Sequence, residues 1–105
     1  MIYKSTLLTK TQADGAVSVS LGAFDKAHRH QIQVETSATP AAGTLTVAVK
    51  TPGASTYTTL SPTISLVSPT IYTITGYVSD IQFTPASFDG DKTYSVTIIS
   101  GAYTP

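Results

Sequence analysis

The sequence contains no cysteine, no tryptophan and no asparagine, and only 11% of its 105 residues are charged. Without cysteine there is no disulfide framework and no thiolate zinc site. Without asparagine there is no acceptor for N-glycosylation. Six basic residues balance six acidic ones, so the chain lacks the excess positive charge of a nucleic-acid-binding domain, and we expect no nucleic-acid partner. Aliphatic hydroxyls are plentiful instead, with 19 Thr and 12 Ser.

Long apolar segments are also missing. No apolar run approaches the roughly 18 residues that a membrane helix needs. The first ten residues, MIYKSTLLTK, hold too few apolar residues between their two lysines for the core of a signal peptide. We therefore expect no membrane partner and synthesis in the cytoplasm. The length predicts one domain over residues 1–105.

The hydrophobic residues recur with a period of two. Val17, Val19 and Leu21 alternate with serines, for example, and Tyr94, Val96 and Ile98 alternate with Ser and Thr. Such alternation is typical of strands with one buried face, and Gly and Pro turn signals separate the runs. The candidate strands are residues 2–8, 16–21, 30–36, 44–50, 56–60, 70–75, 77–84 and 93–100.

This pattern predicts an all-β fold, namely a single antiparallel β-sandwich (jelly-roll or Ig-like) of about seven to eight short strands. No window keeps a helical period, and a single helical turn is expected at most, at residues 23–28. The predicted core consists of the apolar faces of the alternating runs: Val17, Val19, Leu21, Ile32, Val34, Leu45, Val47, Val49, Ile81, Phe83, Tyr94, Val96 and Ile98.

One polar cluster has the residue types of a metal site. His28 and His30 are two residues apart, so on a strand both rings point to the same face, with Asp25 as a possible third ligand. The alternative is a solvated entry into a strand. Because structural zinc wants four strong ligands and the chain has only two imidazoles and no thiolate, we expect no metal.

The carboxylates do not form a recognisable catalytic motif. The Asp89-Gly90-Asp91 sequence lacks the spaced acidic ligands of a calcium loop and is predicted to be a turn. Glu35 and Asp80 are expected on outward strand faces. The sequence has no nucleophile elbow and no phosphate-binding glycine loop. We expect no catalytic residues, no cofactor and no enzymatic activity.

Exposed aromatic and apolar residues are the remaining binding signal. Tyr57, whose neighbours are Thr and Ser, is predicted to be exposed, and Ile99 lies opposite the predicted core face of its strand. Strands 2–8 and 93–100 are predicted to be sheet edges with few charges to protect them. A surface this poor in charge suits contact with copies of itself or with a partner. The predicted interface residues are Tyr3, Leu7, Tyr57, Ile99 and Tyr103.

Three segments resemble a known class of proteins. TITGYVSDIQFTP (residues 73–85) and KTYSVTIIS (92–100) resemble the C-terminal half of small β-sandwich proteins of tailed-bacteriophage virions. GTLTVAVKTPGASTYTTL (43–60) is similar to an earlier hairpin of such proteins, and the likeness covers residues 30–100. The resemblance implies a non-enzymatic virion protein present in many copies, such as a capsid decoration (cement) protein. Its implied partners are itself and the major capsid or other virion proteins.

Two other functions stay open at this point. A carbohydrate-binding, adhesin-type module would use exposed tyrosines to stack on sugars. A small metal-dependent enzyme or metal-binding domain would be centred on His28 and His30. Within the virion, a tail, neck or baseplate position is the alternative to capsid decoration.

Overall fold

The computed structural model describes the backbone of residues 2–21 and 28–102 and the side chains of residues 8–21 and 28–101. These residues form nine strands and one 3₁₀ turn, at Gln12–Asp14. The strands are β1 Ile2–Thr11, β2 Val17–Ser20, β3 Arg29–Thr36, β4 Thr44–Lys50, β5 Thr58–Thr59, β6 Ile64–Ser65, β7 Tyr72–Thr75, β8 Asp80–Ala86 and β9 Thr93–Ala102. Within the described ranges no helical segment has the length and hydrophobicity to cross a membrane.

The strands form two sheets in which every pairing is antiparallel. The first sheet has the order β1-β9-β3-β7, and the second has the order β2-β8-β4-β5, with β6 also paired to β4. β5 and β6 lie opposite the two ends of β4. Between them stands Pro62, which has no amide hydrogen to continue the ladder. β5 and β6 therefore act as two pieces of one edge strand, which makes eight strands in all.

This order is a jelly roll. Strands that follow one another in sequence lie in opposite sheets, except for β4, β5 and β6, which all lie in the second sheet. In an Ig-like sandwich the first two strands share a sheet, whereas here β1 and β2 do not. Two sheets of four strands wound in this way are the jelly-roll architecture. The predicted all-β sandwich is confirmed, and the topology decides between its two forms.

The core fills the space between the inner faces of the two sheets. β3 alternates exposed and buried residues along its length, and on β9 every second residue from Tyr94 to Ser100 is buried. All predicted core residues are buried except Val17, which is half-buried because β2 is an edge strand of the second sheet. The prediction missed buried residues in short strands, connections and β7: Ile64, Leu66, Ile74, Val78 and Phe88.

Three sequence predictions about strands were wrong. The strand predicted at 77–84 begins only at Asp80 and continues to Ala86, because residues 77–79 form the crossover between the sheets. The strand predicted at 56–60 is reduced to Thr58–Thr59. The segment 93–100 is not a sheet edge, since β9 lies between β1 and β3. The helical turn predicted at 23–28 covers residues 23–27, which lie outside the described part, and His28, which is not helical.

The sandwich has two ends that the connections define. At the lower end, residues 12–16, 37–43 and 87–92 each join one sheet to the other. At the upper end, residues 76–79 make the same crossover, and residues 51–57 join β4 to β5. The molecule measures 43 × 28 × 20 Å. A ten-residue strand is about 33 Å long, so the strands run along the longest dimension.

Candidate interaction surface

The outer face of the first sheet is hydroxyl-rich and nearly uncharged. Its described side chains include Thr9 on β1, three Thr or Ser residues on β9 and two Thr on β7. Arg29 and Glu35, at opposite ends of β3, are its only charged groups among the described side chains. Thr9 Oγ1 and Ser95 Oγ lie 3.1 Å apart, within hydrogen-bonding distance. The described part of this face is therefore nearly neutral and able to form hydrogen bonds.

Ile99 interrupts this polar face with an apolar side chain. It is 42% exposed and lies on the central strand β9, where its register partners are Ser5 on β1 and Gln31 on β3. Its exposure agrees with the sequence prediction, because it has the opposite parity to the buried residues of β9. Ile99 is therefore an exposed apolar side chain whose register neighbours are polar.

The other predicted interface residues are distributed differently. Tyr57 is half-buried, with Lys50 Nζ 5.2 Å from the centre of its ring, so the prediction that it is exposed was wrong. The Thr-rich neighbourhood gave no sign of this cation–π contact across the connection from β4 to β5. By register, Tyr3 lies opposite Gly101 and Leu7 opposite Thr97. The side chains of Tyr3 and Leu7, and all of Tyr103, are outside the described residues.

Sequence reasoning missed three exposed apolar residues. Tyr77 is 59%, Ile71 58% and Val67 42% exposed, and all three lie in connections between strands. Tyr77 directly follows Gly76, whose φ of +119° marks a turn. That glycine was the available signal, because a turn at residue 76 removes Tyr77 from the alternating pattern of the following strand.

The two histidines lie in different environments. β3 begins at Arg29, so His28 precedes the strand, and its ring packs edge-on against Tyr77 with the ring centres 6.2 Å apart. His30 is fully buried, with Nδ1 2.8 Å from Ser100 Oγ. The solvated strand entry was therefore wrong for His30, whereas a shared strand face for both rings stays a prediction, because His28 lies just before the strand. Asp25 is outside the described residues, and the described side chains contain no group of three His, Cys, Asp or Glu positioned for a metal.

The Asp89–Asp91 segment is a structural turn, as predicted. Asp89 Oδ2 accepts hydrogen bonds from the Ala41 amide (3.1 Å) and from Lys92 Nζ (3.0 Å). The amide of Ala41, followed by Lys92, holds the pKa of Asp89 below its usual value, and the hydrogen bond to Asp89 raises the pKa of Lys92. This carboxylate ties two connections of the lower end together and is already occupied.

The 3₁₀ turn closes the lower end beside this cluster. Gln12 Nε2 donates to the Pro85 carbonyl (3.2 Å), and Gln12 Oε1 accepts from the Phe88 amide (2.9 Å). Asp14 Oδ2 accepts from the Thr11 amide (2.7 Å), which lowers the pKa of Asp14. Gln12 thus binds the turn to β8 and to the connection after it, and Asp14 closes the turn itself.

The two predicted outward carboxylates are separated by the length of the sandwich. Glu35 is exposed near the lower end of the first sheet. Asp80 is half-buried at the upper end of the second sheet, opposite Lys50 and Ser20 by register. Two carboxylates can act as a general acid and general base pair only when both reach the same substrate. These two carboxylates are not brought together.

Comparisons with solved structures identify proteins of the same fold. The chain is similar to the SPBc2 prophage-derived protein YomS, with a TM-score of 0.60 and 15% identity over 95% of this chain and 96% of that one. It is also similar to a protein of the Bacillus endospore appendages that form disulfide-linked pili, with a TM-score of 0.55 and 11% identity over 97% of this chain and 88% of that one. The sequence matches no protein-family model and no curated protein. At these identities the likeness shows the fold, and one neighbour of that fold derives from a prophage.

Proposed function

We propose that this chain is a non-enzymatic structural protein of a bacteriophage virion that decorates the capsid surface in many copies. The observation that carries the proposal is the outer face of the first sheet, a neutral hydroxyl-rich surface with exposed Ile99 at a central strand. The jelly-roll fold that the chain shares with a prophage-derived protein supports a phage origin. Viral capsid proteins are among the users of this architecture.

The non-enzymatic part of the proposal rests on how the reactive side chains are used. His30 and Ser100 are buried in the core, and Asp89 is bound to Ala41 and Lys92. A buried Ser–His contact between strands positions the strands and offers no access to a substrate. Within the described residues, His30 and Ser100 thus join neighbouring strands of the first sheet, and Asp89 joins two connections of the lower end.

The experiment starts from virions of the phage whose genome encodes the chain. We expect mass spectrometry of density-purified virions to detect the chain in many copies per particle. Purified chain added to particles that lack it should then sediment with them to saturation. Absence from the virion, together with no binding to particles, would contradict the proposal.

A matched pair of variants tests the proposed surface. Ile99→Lys places a charge at the exposed position of β9 in the first sheet, and Gln82→Lys places the same charge on β8, an interior strand of the second sheet. We expect Ile99→Lys to lose binding to particles and Gln82→Lys to keep it, with both variants folded by circular dichroism. Equal binding by the two variants would show that this face is not the contact surface.

Tyr77 supports a carbohydrate-binding module as a second candidate. It is 59% exposed, and the neighbouring His28 ring leaves a polar group beside it, a combination that suits stacking on a sugar. Glycan-array binding that is lost in a Tyr77→Ala variant would favour this function. No glycan binding by the intact chain would remove it.

A further inference from the structure

We infer that copies of this chain associate end to end, with the upper end of one molecule on the lower end of the next. The inference deepens the proposed function, and rests on it, in that the partner is a second copy within a many-copy assembly. The observation that carries it is the distribution of charge. A chain with a net charge of zero separates its charges between the two ends of the sandwich.

The upper end has an excess of positive charge. Arg29 begins β3, Lys50 ends β4, and Lys4 lies on β1 opposite Ser100. Asp80 is the described acidic residue at this end, so three positive charges and one negative charge give a formal +2. The two remaining charged residues of the sequence are one lysine and one aspartate in the segment 22–27, and their formal charges cancel.

The lower end has the opposite excess. Its charged residues are Lys10, Asp14, Glu35, Asp89, Asp91 and Lys92. Two positive and four negative charges give a formal −2. Lys92 Nζ lies 3.0 Å from Asp89 and 3.5 Å from Asp91, so the positive charge of Lys92 is paired with carboxylates of the same end. Glu35, Asp14 and Asp91 stay exposed toward solvent.

Each end also carries an exposed apolar side chain. Tyr77, at the upper crossover, is 59% exposed. Val67 is 42% exposed and follows Leu66, whose amide bonds to the Gly43 carbonyl at the lower end. An apolar residue surrounded by complementary charge is the usual composition of a protein contact, in which the apolar residue supplies affinity and the charges supply orientation.

Charge complementarity selects one arrangement of copies. Upper end against lower end brings +2 to −2, whereas two like ends repel each other. The interface is therefore heterologous, and repetition generates a ring or an open filament rather than a closed two-fold dimer. The axial repeat cannot exceed the 43 Å length of the molecule by more than a contact layer.

The test uses two variants that each damage one end. Arg29→Glu reduces the formal charge of the upper end to zero, and Glu35→Lys does the same at the lower end; both positions are exposed. We expect the unmodified chain to form oligomers in sedimentation velocity at about 10 mM salt, where charges interact over roughly 30 Å, and to dissociate near 1 M salt. Each variant alone should sediment as a monomer, and Gln82→Lys should behave like the unmodified chain.

Mixing the two variants distinguishes the proposed interface from other arrangements. Arg29→Glu keeps an intact lower end and Glu35→Lys keeps an intact upper end, so an equimolar mixture should form dimers and stop there. Symmetric pairing of two β1 edges would be unaffected by either variant and would give no recovery on mixing. The inference would be overturned if the unmodified chain were monomeric at low salt, or if both variants alone formed the same oligomers as the unmodified chain. Because virions are absent, this result is separate from whether the chain binds capsids.

Discussion

Gly43 is the position where one added methyl group should do the most damage to the lower end. It immediately precedes β4 with a φ of +141°, a conformation that side-chain-bearing residues rarely adopt. A Cβ built there would lie 3.0 Å from Phe88 Cδ1, 3.1 Å from Phe88 Cα and 3.3 Å from Leu66 Cδ1. One of these neighbours is backbone, so relief requires the connection after β8 to move.

The expected cost of Gly43→Ala has two parts. The positive φ costs about 1–2 kcal/mol for a residue with a Cβ, and forcing a methyl group into a packed site costs about 1–3 kcal/mol. Together they lower the free energy of unfolding by about 2–5 kcal/mol. For a domain of this size that corresponds to roughly 4 °C in Tm per kcal/mol.

Gly53→Ala is the matched control. Gly53 also has a positive φ, of +87°, but a Cβ there meets nothing within 4 Å. It should therefore lose only the conformational part, about 1–2 kcal/mol. Urea unfolding followed by circular dichroism measures both variants, with unchanged m-values showing that the midpoints report stability. Equal losses in the two variants would refute the argument from the close approach to Phe88.

The remaining predictions concern the core and two titrating groups. Val47→Asp should cost several kcal/mol in urea unfolding because Val47 is fully buried, whereas Thr46→Asp on the outer face should change little; similar losses would show that the register of β4 is wrong. Tyr94→Phe should leave stability unchanged or raise it by about 1 kcal/mol, since the buried hydroxyl has no hydrogen-bond partner among the described residues. Burial, and then the charge of Asp14, raise the pKa of Tyr94, so the stability of the unmodified chain should fall above pH 10. If the stability of the Tyr94→Phe variant fell equally steeply with pH, this prediction would be wrong. The pKa of Asp89 is lowered in the folded state, so the stabilisation by its ionised form is present above its usual pKa of 3.8 and is lost on acidification. The urea midpoint of Asp89→Asn should therefore change less between pH 5 and pH 2 than that of the unmodified chain. An equal change in both proteins would refute this prediction.

Local alternation was sufficient to predict the inner faces of the longer strands. Ile32 and Val34 on β3, and Val96 and Ile98 on β9, are buried as their spacing indicates. The same parity predicted the exposure of Ile99. These predictions succeed because successive side chains on a strand point to opposite faces, which is a property of the backbone and does not depend on the neighbouring strands.

The candidate surfaces were less predictable because they depend on contacts outside the local sequence. Tyr57 is half-buried under Lys50, and Tyr77 is exposed although a strand was predicted there. His30 is buried against Ser100, which lies 70 residues away in sequence. Gly76 is a local signal for the exposure of Tyr77, but the contacts of Tyr57 and His30 are made with residues distant along the chain, so a pattern read along the sequence does not contain them.

The period of two and the turn residues by themselves determined that this protein is a β-sandwich with a particular inner face on each long strand. Which strands lie side by side was decided only in the tertiary structure. β9 pairs with β1, from the other end of the sequence, on one side and with β3 on the other, so β9 is an interior strand and β1 an edge. The separation of a neutral sequence into a positive upper end and a negative lower end has the same origin. This separation of charge arises because antiparallel pairing places the start of β3 beside the end of β9. The net charge of the sequence contains no information about that placement.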